Sequence, residues 1–384
     1  MLSVVSFLQD AASELLYPIL PIFLTVTLGA PVAVVGAVEA VAEGIAAITK
    51  YVAGRMVDRS HPKRFVALGY WLAAAGKAII AAAFAWPVVL LGRGVDRLGK
   101  GIRGAPRDSL LVTDIEPEAR GRAFGVHRTA DTMGAVVGPL IGLGLYEALH
   151  HHIRPLLLVA IVPAVLSAAA VGVVRDAPMP TAKPEDLEAP PHVSLPPAAK
   201  RVIIALGVFS LVNFPDALLI LRANVLFHHR LALVILAYSL YNLAYAGLSY
   251  PAGALSDRLP PNRVYAVGLV CFAIAYVGLG VVHTSGWVWP LFIIYGGFAA
   301  ATDGVSKAWI SRLTPKIAQG RAQGTLQAAT GFGVLAAGIW AGLAWHASGG
   351  TAGHIPLLIS GGVAALAAVV VATALPLPAP EANI

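Results

Sequence analysis

Charge is scarce in this sequence. Only 12% of its 384 residues are Asp, Glu, Lys or Arg, about half the share of an ordinary soluble domain. A soluble fold covers its surface with polar groups, and too few are present here, so a large water-soluble domain is excluded. Cysteine is nearly absent. Cys271 stands alone, which rules out an intrachain disulfide and a cysteine-ligated metal site. Signatures of nucleotide and hydrolase chemistry are missing as well. No G-x-x-x-x-G-K-[ST], G-x-S-x-G or H-E-x-x-H occurs, and Gly99-Lys100-Gly101 lacks phosphate-loop spacing. Neither an enzyme nor a bound cofactor is expected. The N-terminus has no basic leader, and Asp10 and Glu14 interrupt its apolar run. It reads as a retained membrane helix rather than a signal peptide.

Apolar residues make up 58% of the chain, and the mean hydropathy is +0.76. About 20 apolar residues cross the hydrocarbon core as a helix. Runs of that length are expected at 3–29, 32–56, 64–84, 87–112, 122–148 and 154–175, then at 200–226, 231–256, 263–283, 287–312, 321–345 and 354–377. They are too long and continuous for barrel strands, which alternate over about 10 residues. The net charge of +7 follows topology rather than nucleic-acid binding. Eighteen of the 27 Lys and Arg residues fall in the connections at 55–64, 103–122, 175–201, 258–263 and 307–321. The connections on the other side hold only Arg154 and Arg230. Basic loops stay in the cytoplasm, so both termini are expected there, in a bacterial-type inner membrane. Residues 176–199 carry seven prolines and read as a semi-extended linker. The chain therefore divides into residues 1–175, a cytoplasmic linker at 176–199, and residues 200–384.

The two halves look alike. Gly54-Arg55-Met56-Val57-Asp58-Arg59 is echoed by Gly253-Ala254-Leu255-Ser256-Asp257-Arg258, and Gly121-Arg122-Ala123-Phe124-Gly125 by Gly320-Arg321-Ala322-Gln323-Gly324. Both pairs are 199 residues apart. Duplication of a six-helix unit explains the shared offset, and such repeats build many secondary transporters.

With these motifs the sequence resembles the major facilitator superfamily. The pattern G-x-x-x-D-R with basic residues after it is met by Gly54, Asp58, Arg59, Lys63 and Arg64, and again by Gly253, Asp257, Arg258 and Arg263. The segment Gly134-Ala135-Val136-Val137-Gly138-Pro139-Leu140-Ile141-Gly142 resembles the G-x-x-x-G-P-x-x-G motif of drug–proton antiporters in span 5. The resemblance implies an all-α membrane fold of twelve transmembrane helices in two pseudo-symmetric six-helix bundles. It also implies a conformational latch at the Asp58 loop, efflux from the span 5 motif, and a central cavity lined by spans 1, 4, 7 and 10. Read without the family, Asp58 can cap the start of the next helix. The glycines can equally be tight helix packing, with Pro139 bending the helix, and the loop charges plain topology signals.

Charges inside the spans are the most informative residues. One costs about 2.5–3.5 kcal/mol at mid-membrane even on the lenient scale. Asp10 and Glu14 share a face of span 1, and Glu39 and Glu43 a face of span 2. They must be paired, protonated or in contact with water. Arg93, Asp96, Arg97 and Lys100 fall on one face of span 4 and are the expected partners. Burial favours the neutral form of a carboxyl and a nearby arginine the charged form, so a moving carboxylate can carry a proton. Glu14 is the first choice, followed by Glu43 and Asp10, with Arg97 or Arg93 as the partner. The alternative is a static ion-pair network. Substrate contacts are expected from Asp96, Lys100, Asn213, Asp216, Tyr241, Asn242 and Asp303. Arg128 and Asp131, three apart, are expected to pair locally. Eight histidines lie in or beside the outer connections, and no metal site is assigned to them. The function expected is proton-coupled efflux of a small organic molecule by a monomer. The alternatives are proton-coupled uptake of an anionic or sugar-like solute, metal-ion export, and a non-transporting sensor.

Overall fold

A computed structural model describes the chain except residues 18–19, 21–22, 31, 58–60, 113–114, 151, 175–193, 229, 348–352 and 378–384. Among the described residues there is no β-strand. The helices of the first half are α1 Leu2–Leu16, α2 Val32–Val57, α3 Pro62–Ala81, α4 Trp86–Val112, α5 Arg120–Ala148 and α6 Ile153–Val173. The second half holds α7 Pro197–Ser210, α8 Asp216–Leu226, α9 Leu231–Arg258, α10 Pro261–Val281, α11 Val288–Arg312, α12 Gln319–Ala347 and α13 His354–Ala374.

Two expected spans are not single helices. Span 1 is α1 followed by a π-helical turn at Phe23–Thr27. Span 7 breaks between Ser210 and Asp216. Pro215 brings no N–H and pushes Phe214 away from helical angles, so the helix restarts at Asp216. Among the described residues six helices are long and apolar enough to cross a membrane by length and composition: Pro62–Ala81, Ile153–Val173, Pro261–Val281, Ser285–Arg312, Lys316–Trp345 and His354–Ala374. Large apolar side chains such as Phe84, Leu343, Leu366 and Val369 are more than 60% exposed, as lipid-facing residues are.

The chain packs as two units. The first holds Met1–Asp114, Ala130–Leu195 and Lys316–Ala328; the second holds Ile115–Thr129, Pro196–Pro315 and Ala329–Ile384. The start of α5 thus belongs with the second half and the start of α12 with the first. Most of the linker expected at 176–199 lies outside the described residues.

In the first unit, one apolar cluster gathers Leu15, Leu16, Phe23, Ile80, Val89 and Leu156, and another Val5, Val66, Tyr70, Leu110 and Val171. A third cluster is Ala12, Ala74 and Ala164, so α1, α3 and α6 approach closely there. The α3–α4 seam is closer still. A β carbon on Gly76 would lie 2.6 Å from the Gly92 carbonyl oxygen, and one on Gly69 2.6 Å from that of Gly99. Small residues allow such backbone approach, and the approach fixes how α4 is rotated. In the second unit, Arg222 on α8 donates from Nε to the Leu279 carbonyl (2.8 Å) and from Nη2 to that of Val282 (2.7 Å). This cation serves the open C-terminal end of α10. Two histidines in connections, His150 and His228, hold positive φ angles of 49° and 52°. Histidine reaches that region more readily than most residues, which gives these two a turn-forming role.

Candidate functional site: an ion-pair network and a tyrosine-ringed carboxylate

The charged face of α4 is spread over three neighbours. Arg97 Nε lies 3.1 Å from Glu43 Oε1 on α2; the arginine side chain is 10% exposed and the glutamate 49%. Asp96 turns the other way. Its Oδ1 accepts from Lys77 Nζ on α3 at 2.9 Å, and its Oδ2 lies 3.7 Å from Arg93 Nη1. Lys77 and Asp96 are both buried, against the Gly76–Gly92 seam. Asp96 is therefore fixed in a helix interface, not in a cavity as its residue type led one to expect. Lys77 carries no motif, and sequence reasoning passed it over. The signal was a lone lysine in an otherwise apolar span, a residue that demands a carboxylate at the same depth. Lys77→Met is expected to lower the melting temperature sharply, since breaking a buried pair costs about 3–5 kcal/mol. Lys77→Met with Asp96→Asn should recover most of it in a double-mutant cycle. Equal losses in the single and double variants would rule out the pairing.

Asp10 and Glu14 face the same stripe from α1. Lys100, Arg97, Arg93 and Lys77 are the charged groups acting on Glu14. Asp131, Lys100, Glu14 and Arg103 act on Asp10, and Lys100, Arg97, Lys50 and Arg93 on Glu43. Lys100 is common to all three carboxylates and is itself exposed. A local pairing was expected of Arg128 and Asp131, and both reach other helices. Asp131 Oδ1 lies 3.7 Å from Arg107 Nη1, and Arg128 Nη2 lies 2.7 Å from Asp303 Oδ2. Each has a longer-range partner, on α4 and α11 respectively, because α5 is shared between the two units.

The glycines of α5 explain why the carboxylates stand where they do. A β carbon on Gly134 would lie 2.6 Å from the Phe7 carbonyl oxygen and 2.9 Å from Asp10 Cβ. On Gly138 it would lie 2.7 Å from the Ala11 carbonyl oxygen and 3.1 Å from Glu14 Cβ, and on Gly142 3.0 Å from the Leu15 carbonyl oxygen. The three glycines, one turn apart, form a groove that receives α1 along its acidic edge. Pro139 lies inside α5, which stays helical through it.

In the second unit, the expected substrate contacts gather on α8, α9 and α11. Tyr295 Oη donates to Asp216 Oδ1 at 2.7 Å, and the Tyr241 hydroxyl bonds the same carboxylate. The Tyr241 and Tyr295 rings stack at 4.9 Å. Tyr245 Oη donates to Asp303 Oδ2 at 2.6 Å, and Lys307 Nζ lies 3.5 Å from Asp303 Oδ1. Asn242 is buried and donates to the Tyr238 carbonyl of its own helix (3.0 Å). Asn213 sits half-exposed in the break before α8. Among the described residues no group of three or more His, Cys, Asp or Glu side chains is placed to hold a metal ion.

Comparison with known proteins decides the family. The profile of the Major Facilitator Superfamily matches residues 2–235 and 217–383. The chain belongs to the major facilitator superfamily. An uncharacterized MFS-type transporter of Methanocaldococcus jannaschii is 30% identical over 354 residues, covering 91% of this chain and 88% of that protein. The multidrug resistance protein MdtH of Cronobacter sakazakii is 35% identical over 94 residues, 24% of this chain and 23% of MdtH. The proton:xylose symporter XylE has the same fold, with a TM-score of 0.77 at 14% identity over 98% of this chain and 95% of XylE. As a major facilitator protein the chain is a multi-pass membrane transporter, with twelve spans in two six-helix bundles.

The superfamily loop motif is visible in its second copy. Asp257, near the end of α9, accepts from the Gly121 N–H at 2.7 Å and the Arg122 N–H at 2.8 Å. It thus caps the start of α5, not the start of the helix that follows it. Arg312 on α11 also donates to Asp257, and Gly121 and Gly253 meet with no room for a β carbon on either. Arg258 is exposed at the helix end. In the first copy, Gly54 falls within α2, Arg64 is exposed on α3, and Lys63 Nζ donates to the Gly172 carbonyl at 2.9 Å. Asp58 and Arg59 lie outside the described residues.

Proposed function

We propose that this transporter exports small organic molecules in exchange for protons, as a monomer in a bacterial-type inner membrane with both termini in the cytoplasm. The observation that carries the proposal is the crowd of Asp10, Glu14 and Glu43 around a single exposed lysine, Lys100, with Arg97 and Arg93 beside it. Glu43 is held by Arg97, and Glu14 loses its arginine and lysine neighbours if α4 moves relative to α1. Withdrawal of those cations favours proton uptake by Glu14, and their return favours release. Alternating access between repeated halves supplies such motion. The short match to MdtH supports the efflux direction. Asp257 capping α5 supports a latch function for the loop motif. By the 199-residue offset, the start of α12 at Gly320 and Arg321 is the counterpart for Asp58.

One observation favours a second reading. Lys100 is exposed within the cluster, and an open cation there suits proton-coupled uptake of an anionic solute. Liposomes loaded with a pH-sensitive dye test both. Under an imposed pH gradient, organic cations, neutral drugs, sugars and organic anions are added in turn to wild type and Glu14→Gln. One class should dissipate the gradient with wild type and not with the variant. Substrate movement without proton flux would remove Glu14 from coupling.

A further inference from the structure

Asp216 differs from the other described carboxylates in the spans. Lysine or arginine acts on Asp10, Glu14, Glu43, Asp96 and Asp303, and Arg107 lies beside Asp108 and Asp131. The groups acting on Asp216 are two tyrosine hydroxyls, those of Tyr295 and Tyr241, and no basic side chain. Asp216 is partly buried, at the break in span 7. Around it runs a continuous aromatic wall. Tyr241 and Tyr295 stack at 4.9 Å, Tyr276 lies 5.8 Å from Tyr295, and Tyr238 lies 5.6 Å from Tyr241.

We propose that Asp216 and this ring of tyrosines bind a monovalent, weakly hydrated organic cation such as a quaternary ammonium or phosphonium. A carboxylate offers about four lone-pair positions. The two hydroxyls orient it and leave the others open. Its place at the first residue of α8 sets it at the positive end of the helix, where negative charge is favoured, while burial denies it full hydration. An organic cation supplies the missing counter-charge and presents its alkyl or aryl surface to the ring faces, which attract cations. A divalent metal ion fits poorly, because one carboxylate and phenolic oxygens are too few hard ligands. This inference rests on the chain being a transporter and narrows the exported class to cations, but it does not depend on proton coupling through Glu14.

Equilibrium binding of radiolabelled tetraphenylphosphonium to the detergent-purified chain, at fixed pH and salt with no membrane gradient, tests it. Wild type should bind saturably. Asp216→Asn should weaken binding at least about tenfold, about 1.4 kcal/mol, with an unchanged gel-filtration profile. Tyr295→Leu should also weaken it about tenfold, while Tyr295→Phe, which keeps the ring, should stay within about threefold. If Asp216→Asn does not fold, the two Tyr295 variants decide. Neutral triphenylphosphine oxide should respond to neither carboxylate nor ring loss. No saturable binding to wild type, or equal binding by Asp216→Asn, would overturn the proposal. A change in proton release on mutating Asp216 with cation binding intact would overturn it too, by making the occupant a proton. A negative result with Glu14→Gln in liposomes leaves this measurement unaffected, so the two readings fail separately.

Discussion

Gly138→Leu is expected to leave little folded transporter. A β carbon there already meets the Ala11 carbonyl oxygen at 2.7 Å and the Leu15 amide nitrogen at 3.0 Å. Both are backbone atoms of α1, so relief requires moving the whole helix. Overpacking costs about 1–3 kcal/mol where side chains can yield, and here they are not what is struck. Displacing α1 also pulls Glu14 away from Lys100 and Arg97. Even Gly138→Ala should lower the melting temperature of the detergent-solubilised protein by several degrees and reduce transport. Gly144→Ala on the same helix is the control. Nothing lies within 4 Å of its added carbon, and alanine is the better helix former by about 1 kcal/mol, so the melting temperature should hold or rise. Gly138→Ala and Gly144→Ala with matching stability would show that the α5 glycines do not seat α1.

Asp257→Ala carries the second large effect. The carboxylate satisfies two N–H groups in the first turn of α5 and the guanidinium of Arg312, whose side chain is 10% exposed. Loss of a helix cap costs about 0.5–2 kcal/mol. An unpaired buried charge adds about 3–5 kcal/mol. Arg312 also donates to the Pro117 carbonyl at 2.8 Å and the Ser256 carbonyl at 2.9 Å, so it cannot swing to water without breaking those bonds. Asp257→Asn keeps an acceptor for α5 but not the charge, and should fall between wild type and Asp257→Ala in thermal denaturation. If Asp257→Asn and Asp257→Ala are equally destabilised, the charge on Arg312 dominates. If neither is destabilised, Asp257 is no cap at all.

What could be read without a structure was whatever repeats or runs long. Six of the described helices follow from apolar length and composition alone, and the offset between the Asp58 and Asp257 motifs pointed to the duplication. Pairing across helices was not legible, because it depends on rotation. Asp96 shares a face with Arg93, Arg97 and Lys100 on paper, yet the Gly76–Gly92 contact turns it into α3 and onto Lys77. Arg128 and Asp131 are three apart, but their contacts with Asp303 and Arg107 could not be read from that spacing, because α5 divides its contacts between two units. The break in span 7 left a trace in Asn213-Phe214-Pro215-Asp216 that the apolar residues on either side obscured. A cap on the next helix was expected of Asp58, which lies outside the described residues. The helix Asp257 reaches is α5, a partner that only tertiary packing could supply.

The central claim is that Glu14 exchanges its proton for substrate-linked rearrangement at the α1–α4 face. The most direct test is proton release on substrate binding by the purified protein in weakly buffered detergent, read with a pH indicator dye. Wild type should release protons in proportion to substrate bound, and Glu14→Gln should bind substrate and release none. Undiminished release by Glu14→Gln would contradict the claim and return Asp10, Glu14 and Glu43 to a purely structural network.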